Sequence, residues 1–144
     1  MKYAVSYYTR SGNTKKMADV VGEVLGVQPK DISEGLSEKV ETLFLGNSPY
    51  AFDMDPNVKE FILTNKDMIG QIVCFGSCAS NKSAAKYVHK LCRENGIRFY
   101  HKSFKCYGSF LMMHKGHPNE KDLEELRAFV KNVAKELGFD LRAE

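Results

Sequence analysis

Two short runs in this chain are apolar at consecutive positions rather than alternate ones: Thr42-Leu43-Phe44-Leu45 and Gln71-Ile72-Val73-Cys74-Phe75. Each is too short for a buried helix and is closed by a glycine, Gly46 or Gly76, so both read as strands covered on both faces. Strands of that kind belong to parallel sheets, whose crossover connections are helices. The rest of the chain agrees. A strand at residues 2–8 precedes a helix with Met17, Val21, Val24 and Leu25 on one face, stopped at Gly26. Pro56, with Asp55 as a cap, opens a second helix carrying Val58, Phe61 and Ile62. A third bears Ala84, Ala85, Val88, Leu91 and Cys92 and ends at Gly96. A fourth starts at Asn119, with Asp122 three residues on, carries Leu123, Leu126, Val130, Val133, Ala134 and Leu137, and stops at Gly138.

The remaining segments carry weaker signals. Residues 27–28 suggest a short strand, held to a sheet edge by Pro29, and residues 33–40 suggest at most a brief helix weakened by Gly35. Residues 47–55 read as a loop, and the last strand is expected from Ile97 to about Lys105. The expected architecture is α/β: a doubly wound five-stranded parallel sheet in the order 2-1-3-4-5, forming one domain over residues 1–144. A chain of this length buries roughly two thirds of its unfolded surface and folds without disulfides or a structural metal.

Composition removes several functional classes. No apolar run approaches the roughly 18 residues of a membrane span, and the short, interrupted apolar stretch after Met1 lacks a small-residue cleavage site. No membrane association and a cytoplasmic location are therefore expected. Cys74, Cys78, Cys92 and Cys106 include no CxxC pair, which argues for reduced, mostly buried thiols rather than a zinc ribbon. The net charge of +3 comes from scattered Lys and Arg without a basic run or a stacking-aromatic motif, so nucleic acid is not an expected partner.

In doubly wound sheets ligands bind at the carboxyl ends of the strands, where the winding reverses. Three small-residue loops meet there, after strands 1, 3 and 4. The first, Thr9-Arg10-Ser11-Gly12-Asn13-Thr14, puts three hydroxyls, a glycine and an asparagine at the mouth of a helix. Free amides and the positive end of the helix dipole make that position an anion site. One charge–dipole contact is worth only about 0.3–1 kcal/mol, so several must converge to hold a phosphate. An ordinary capped turn is the plainer reading, but it does not call for three hydroxyls around Gly-Asn. Other phosphate chemistries lack their residues. The GxxxxGK(S/T) and GxGxxG patterns are absent. A phospho-acceptor receiver needs acids where Tyr7, Tyr8, Thr9, Gly46 and Asn47 stand.

The segment Tyr8-Thr9-Arg10-Ser11-Gly12-Asn13-Thr14 resembles the phosphate loop of flavodoxins, Ser/Thr-x-Ser/Thr-Gly-Asn-Thr after an apolar strand. The resemblance covers nearly the whole chain. Leu43-Phe44-Leu45-Gly46-Asn47-Ser48-Pro49-Tyr50 is similar to the strand-3 and flavin-loop segment, and Val73-Cys74-Phe75-Gly76-Ser77 to the strand-4 segment. Phe104-Lys105-Cys106-Tyr107-Gly108-Ser109-Phe110 and Lys115-Gly116-His117-Pro118-Asn119 are similar to the ends of short flavodoxin-like proteins. The phosphate loop is the specific motif; the later segments are less so.

The resemblance implies a flavodoxin-like fold and non-covalent FMN. The phosphate would lie on Thr9, Arg10, Ser11, Gly12, Asn13 and Thr14. The ring would lie between Ser48, Pro49, Tyr50, Ala51 and Phe52 on one side and Gly76, Ser77, Cys78, Ala79 and Ser80 on the other. The family often stacks a tryptophan on the flavin. This chain has none, which makes Tyr50 the first aromatic candidate and Phe52 the second, with a plain surface turn as the alternative for Tyr50. Cys78 would line the pocket, and no catalytic residue is assigned. His101, His114 and His117 read as surface histidines, and Met112-Met113 as a packing or contact patch.

Two departures from the family pattern bear on function. A peptide flip beside the flavin is easiest at Gly or Asn, and no glycine occurs between Ser48 and Asp55. Losing the hydrogen bond it makes, about 1 kcal/mol, corresponds to roughly 40 mV for a one-electron couple and moves preference toward two-electron chemistry. Flavodoxins are also commonly acidic, whereas this chain is at +3 and would not be steered to a basic redox partner. The leading expectation is an electron carrier, a monomer or weak dimer serving a redox partner protein. The alternative is an FMN-dependent reductase of a small acceptor such as a quinone or tetrapyrrole, its substrate covered by residues 107–117. A third reading, a module that has lost flavin, conflicts with the intact first loop.

Overall fold

Consecutive residues of the two inner strands face opposite layers. Leu43, Leu45, Ile72 and Cys74 pack against Val58, Phe61 and Ile62 and against Val88, Leu91 and Cys92. Phe44, Val73 and Phe75 pack against Met17 and Val21 and against Leu126 and Val130. Both sides of each strand are buried in apolar contacts, which is why the sequence shows no polar alternation there.

The computed structural model describes residues 2–78, 83–108, 116–139 and 141. Its elements are β1 (Tyr3–Tyr7), α1 (Asn13–Leu25), β2 (Lys30–Asp31), β3 (Val40–Gly46), β4 (Pro49–Tyr50), β5 (Asp53–Met54), α2 (Pro56–Thr64), β6 (Ile69–Cys78), α3 (Ala85–Glu94), β7 (Arg98–Phe99), β8 (Phe104–Tyr107) and α4 (Glu120–Leu137). Short 3-10 turns lie at Ile32–Glu34 and Lys66–Met68. The sheet runs β2-β1-β3-β6-β7, with β8 also on β6, and all its pairings are parallel. This is the flavodoxin-like, doubly wound α/β fold, with α1 and α4 on one face and α2 and α3 on the other.

The expected order holds, with two strands sharing the fifth position. β7 runs beside Gln71 and Ile72, and β8 beside Phe75 to Cys78. Between them Tyr100 turns inward to 4% exposure, its amide still donating to the Ile72 carbonyl at 2.9 Å and its hydroxyl to Glu136 of α4. Because β8 partners the end of β6, Gly76, Ser77 and Cys78 are strand residues rather than the start of a loop. The first edge strand lies at Lys30–Asp31 instead of residues 27–28, since the Val27 amide closes the end of α1 by donating to the Gly22 carbonyl at 3.0 Å. The brief helix expected over 33–40 is only the turn at Ile32–Glu34, capped by Asp31 and ended by Gly35. The loop expected over 47–55 contains an antiparallel hairpin of β4 and β5, anchored by the buried Met54.

Candidate functional site at the carboxyl edge of the sheet

Three hydroxyls from three separate segments meet at the carboxyl ends of β1, β3 and β6. Thr14 Oγ1 lies 3.1 Å from Ser48 Oγ and 3.4 Å from Ser77 Oγ, and the two serine oxygens are 3.1 Å apart. Thr14 is fully buried and Ser77 nearly so. The triangle binds the loop after β1, the segment after β3 and the end of β6 to one another. Thr14 therefore turns its hydroxyl inward, while Thr9, Arg10, Ser11, Gly12 and Asn13 form the outward rim.

That rim is built to leave donors available. Thr9 Oγ1 accepts from the Gly12 amide at 2.9 Å and Ser11 Oγ from the Asn13 amide at 3.4 Å, so each hydroxyl keeps its own proton to donate. Gly12 has φ +91°, a left-handed conformation that a side chain would strain. The N-cap residue of α1 is Gly12, which has no side chain to cap with, and no acid occupies the first turn. By contrast α2 and α4 are capped by Asp55 and Asn119. The start of α1 thus presents its dipole to whatever anion occupies the rim.

Close backbone approaches fix the floor. A Cβ on Gly76 would stand 1.7 Å from the Asn47 carbonyl oxygen, and one on Gly108 would stand 2.7 Å from Asn13 Nδ2 and 2.8 Å from Ser77 Cβ. Asn47 is itself buried, and among the described residues nothing accepts a hydrogen bond from its Nδ2. A buried amide donor without a partner is costly and suits a site completed by a polar ligand. Cys78 lies on the same strand end with its thiol 3.5 Å from the Cys106 carbonyl. Burial pushes that thiol up, partly offset by Lys105, which keeps it protonated at neutral pH.

The hairpin after β3 supplies the aromatics. Tyr50 and Phe52 are 45% and 87% exposed. The turn between them holds Ala51 and Phe52 at φ +51° and +64°. Arg10 bridges this hairpin to the rim: its Nε donates to Asp55 Oδ2 at 2.7 Å, and its guanidinium lies 4.3 Å over the Tyr50 ring.

The structure thus brings Thr9–Thr14, Ser48–Phe52 and Gly76–Cys78 to one edge; Ala79 and Ser80 lie outside the described residues. Sequence reasoning gave no site role to Asn47, Asp55 or Gly108. Asp55 read only as a helix cap, and the fit of Gly108 against Asn13 and Ser77 joins residues far apart in the chain. His117 is bound to Asp122 at 2.7 Å beside the α4 cap, and His101 lies 3.7 Å from Glu136. His114, Met112 and Met113 lie outside the described residues. Among the described residues no three His, Cys, Asp or Glu side chains are grouped to hold a metal, and no helix is long and apolar enough to cross a membrane.

No protein-family model matches the chain, and no protein of curated function matches it. Solved structures do. A flavodoxin from the domain Archaea superposes with a TM-score of 0.77 at 22% identity, over 96% of this chain and 99% of that one. Flavodoxin 1 from Bacillus cereus gives 0.70 at 19% identity, over 94% and 98%. The rubredoxin oxygen:oxidoreductase from Desulfovibrio gigas gives 0.72 at 17% identity, with 95% of this chain on 36% of that one. These likenesses show the flavodoxin-like fold.

Proposed function

We propose that the chain is an FMN-binding electron-transfer protein that passes electrons to a partner oxidoreductase. The observation that carries this reading is the glycine-capped start of α1, ringed by hydroxyls with protons to give and tied through Thr14, Ser48 and Ser77 to the other two loops. The donor set suits a phosphate monoester dianion: hydroxyls and amides at a helix mouth, with Arg10 as the adjacent cation. Thr9, Arg10, Ser11, Gly12 and Asn13 would hold the phosphate, with Thr14 bracing the loop from within. Ser48 to Phe52 and Gly76 to Ser80 would flank the ring, with Tyr50 ahead of Phe52 as the stacking partner. FMN, when bound, supplies one- and two-electron redox chemistry. The protein's part is to grip the phosphate, orient the ring and limit its contact with water. Two of the solved structures sharing the fold are flavodoxins, which supports the carrier reading.

One observation favours a second reading, an FMN-dependent reductase of a small acceptor such as a quinone or tetrapyrrole. The turn at Ala51-Phe52 has positive φ at two residues that are not glycine, so a peptide there is less free to flip and direct two-electron chemistry is favoured.

Calorimetry of the flavin-free chain with FMN and with riboflavin tests the core of the proposal. FMN should bind at micromolar concentration or below and riboflavin far more weakly, because only FMN carries the phosphate. No FMN uptake by correctly folded protein overturns it. Anaerobic reductive titration then separates the readings: stepwise one-electron reduction supports the carrier, whereas direct two-electron bleaching with turnover of a small acceptor supports the reductase.

A further inference from the structure

Charge is unevenly divided between the two edges of the sheet. Residues 85–107 hold Lys86, Lys90, Arg93, Arg98, Lys102 and Lys105 against a single acid, Glu94, a net of +5 in a chain of +3. All six cations are exposed. Toward the other edge, from β2 to the first residues of β3, residues 31–41 carry Asp31, Glu34, Glu38 and Glu41 against Lys39, a net of −3. We infer that the basic edge formed by α3, β7 and β8 is a docking surface for an acidic redox protein; this rests on the FMN electron-transfer reading above.

Edge strands are often guarded by lysines that prevent strand-to-strand association. That role fits Arg98 and Lys105, on β7 and β8, but not Lys86, Lys90 and Arg93, which lie on α3. Their spacing puts like charges at i, i+4 and i, i+3 on the helix, where they repel. Lys86 also sits in the first turn of α3, which contains no acid, against the helix dipole. Each arrangement works against the stability of the isolated chain, and an acidic partner would relieve both. The helix that carries three of the cations packs on the edge strand: His89 of α3 stacks on Phe99 of β7 with ring centroids 4.6 Å apart.

The surface leads to the candidate site. In the β6–β8 ladder Lys105 stands opposite Gly76 and Cys106 opposite Ser77, and Ser77 belongs to the hydroxyl triangle. A partner seated on this edge lies beside the loops assigned to the flavin. The acidic edge opposite would repel the same partner, so the paired edges orient the encounter as well as speed it.

The test uses one acceptor in two charge forms: cytochrome c, which is basic, and succinylated cytochrome c, whose lysines carry carboxylates instead. Binding is measured with the flavin-free full chain. Electron transfer is measured with the FMN-loaded chain reduced beforehand; each two-electron-reduced flavin gives one electron to each of two ferric haems and releases its protons to solvent. At low ionic strength the acidic form should bind at least tenfold tighter and be reduced at least tenfold faster. High salt should abolish that preference, as should the K86E/K90E/R93E variant, while E38K/E41K keeps it. K90Q/R93Q serves if the triple reversal does not fold, and should weaken the preference several-fold. The inference is overturned by equal treatment of the two forms, by a preference that survives reversal of α3, or by tighter binding of a short DNA duplex than of succinylated cytochrome c. Self-association at low salt that either edge reversal abolishes also overturns it, naming a second copy as the occupant. If the flavin-free chain prefers the acidic form but takes up no FMN, the docking surface stands and the flavin reading falls.

Discussion

Arg10 Nε donates to Asp55 Oδ2 at 2.7 Å, joining the rim of the candidate phosphate site to the N-terminus of α2. The partners are unequal: the Arg10 side chain is 54% exposed and that of Asp55 only 4%. Asp55 also caps α2, accepting from the Asn57 amide at 2.9 Å. An ion pair with one partner in water contributes at most about 1 kcal/mol, and an N-cap typically about 1 kcal/mol. Asp55→Ala should therefore destabilise the chain by about 1–2 kcal/mol, with Asp55→Asn recovering the cap part and Arg10→Ala costing less than Asp55→Ala. Denaturant midpoints at constant slope check this ordering, and an Arg10→Ala loss equal to that of Asp55→Ala contradicts it.

The hydroxyl triangle predicts non-additive losses. Thr14→Val, Ser48→Ala and Ser77→Ala each remove one member of a mutually bonded set, at about 1 kcal/mol apiece. Because the three share partners, a second removal should cost less than the first. A double-mutant cycle on Thr14 and Ser77 should show coupling of at least about 0.5 kcal/mol. The same variants should weaken FMN uptake several-fold by loosening the loop. Strict additivity would mean that the three oxygens act independently.

Much of this architecture can be read from local signals. Gly26 and Gly138 stop their helices in left-handed conformations, and Asn119 and Asp122 form the reciprocal cap of α4. The apolar runs around Phe44 and Val73 announced strands buried on both faces. What escaped was non-local. The division of the fifth strand appears only in how β7 and β8 pair with different stretches of β6, and the position of β2 depends on how α1 closes through Val27. The loop residues of the site were legible because each follows a strand. The pairing of Arg10 with Asp55, and the meeting of Gly108 with Asn13 and Ser77, exist only once the sheet has formed.

Close approach makes Gly76 the least replaceable residue at the site. An added Cβ would sit 1.7 Å from a backbone oxygen of β3's extension at Asn47, and neither strand can yield without breaking the ladder. Gly76→Ala should cost several kcal/mol, beyond the roughly 1–3 kcal/mol of ordinary overpacking, and yield little folded protein. At Gly108 the nearest atoms are side-chain atoms of Asn13 and Ser77. Gly108→Ala should therefore fold but bind FMN at least tenfold more weakly. Thermal denaturation and flavin titration of the two variants distinguish the cases.

The thiols give a prediction in pH. Burial raises Cys92 to about 11 and Cys106 to about 12, with Asp122 adding to the shift at Cys106, and it raises Cys74 further. Burial and the bond to Glu136 raise the Tyr100 phenol to about 12. In each case the folded chain holds its proton more tightly than the unfolded chain does. These groups leave stability flat below about pH 8.5, and stability falls as pH rises from about 9 through 12, where only the unfolded state has released the protons. Denaturant midpoints at pH 7, 8.5 and 10 should show a plateau and then a drop. At pH 8 an aromatic disulfide reagent should label the native thiols slowly and the unfolded ones at once. Fast stoichiometric labelling of the native chain would show an exposed thiolate instead.

The turn between Tyr50 and Asp53 carries the last prediction. It is a two-residue hairpin with both central residues at positive φ, the geometry that Asn-Gly fills without strain, yet it is made here by Ala51 and Phe52. Non-glycine residues held there cost of order 1–3 kcal/mol each. Phe52 regains nothing by burial, being 87% exposed. Ala51→Asn combined with Phe52→Gly should therefore stabilise the flavin-free chain by about 1–3 kcal/mol. The two substitutions should part company when FMN is added. Ala51→Asn leaves both aromatics and should keep affinity, whereas Phe52→Gly removes one and should lower affinity if that ring touches the flavin. Stability curves with and without FMN read both effects, and a double variant less stable than the parent without flavin would refute the strain at this turn.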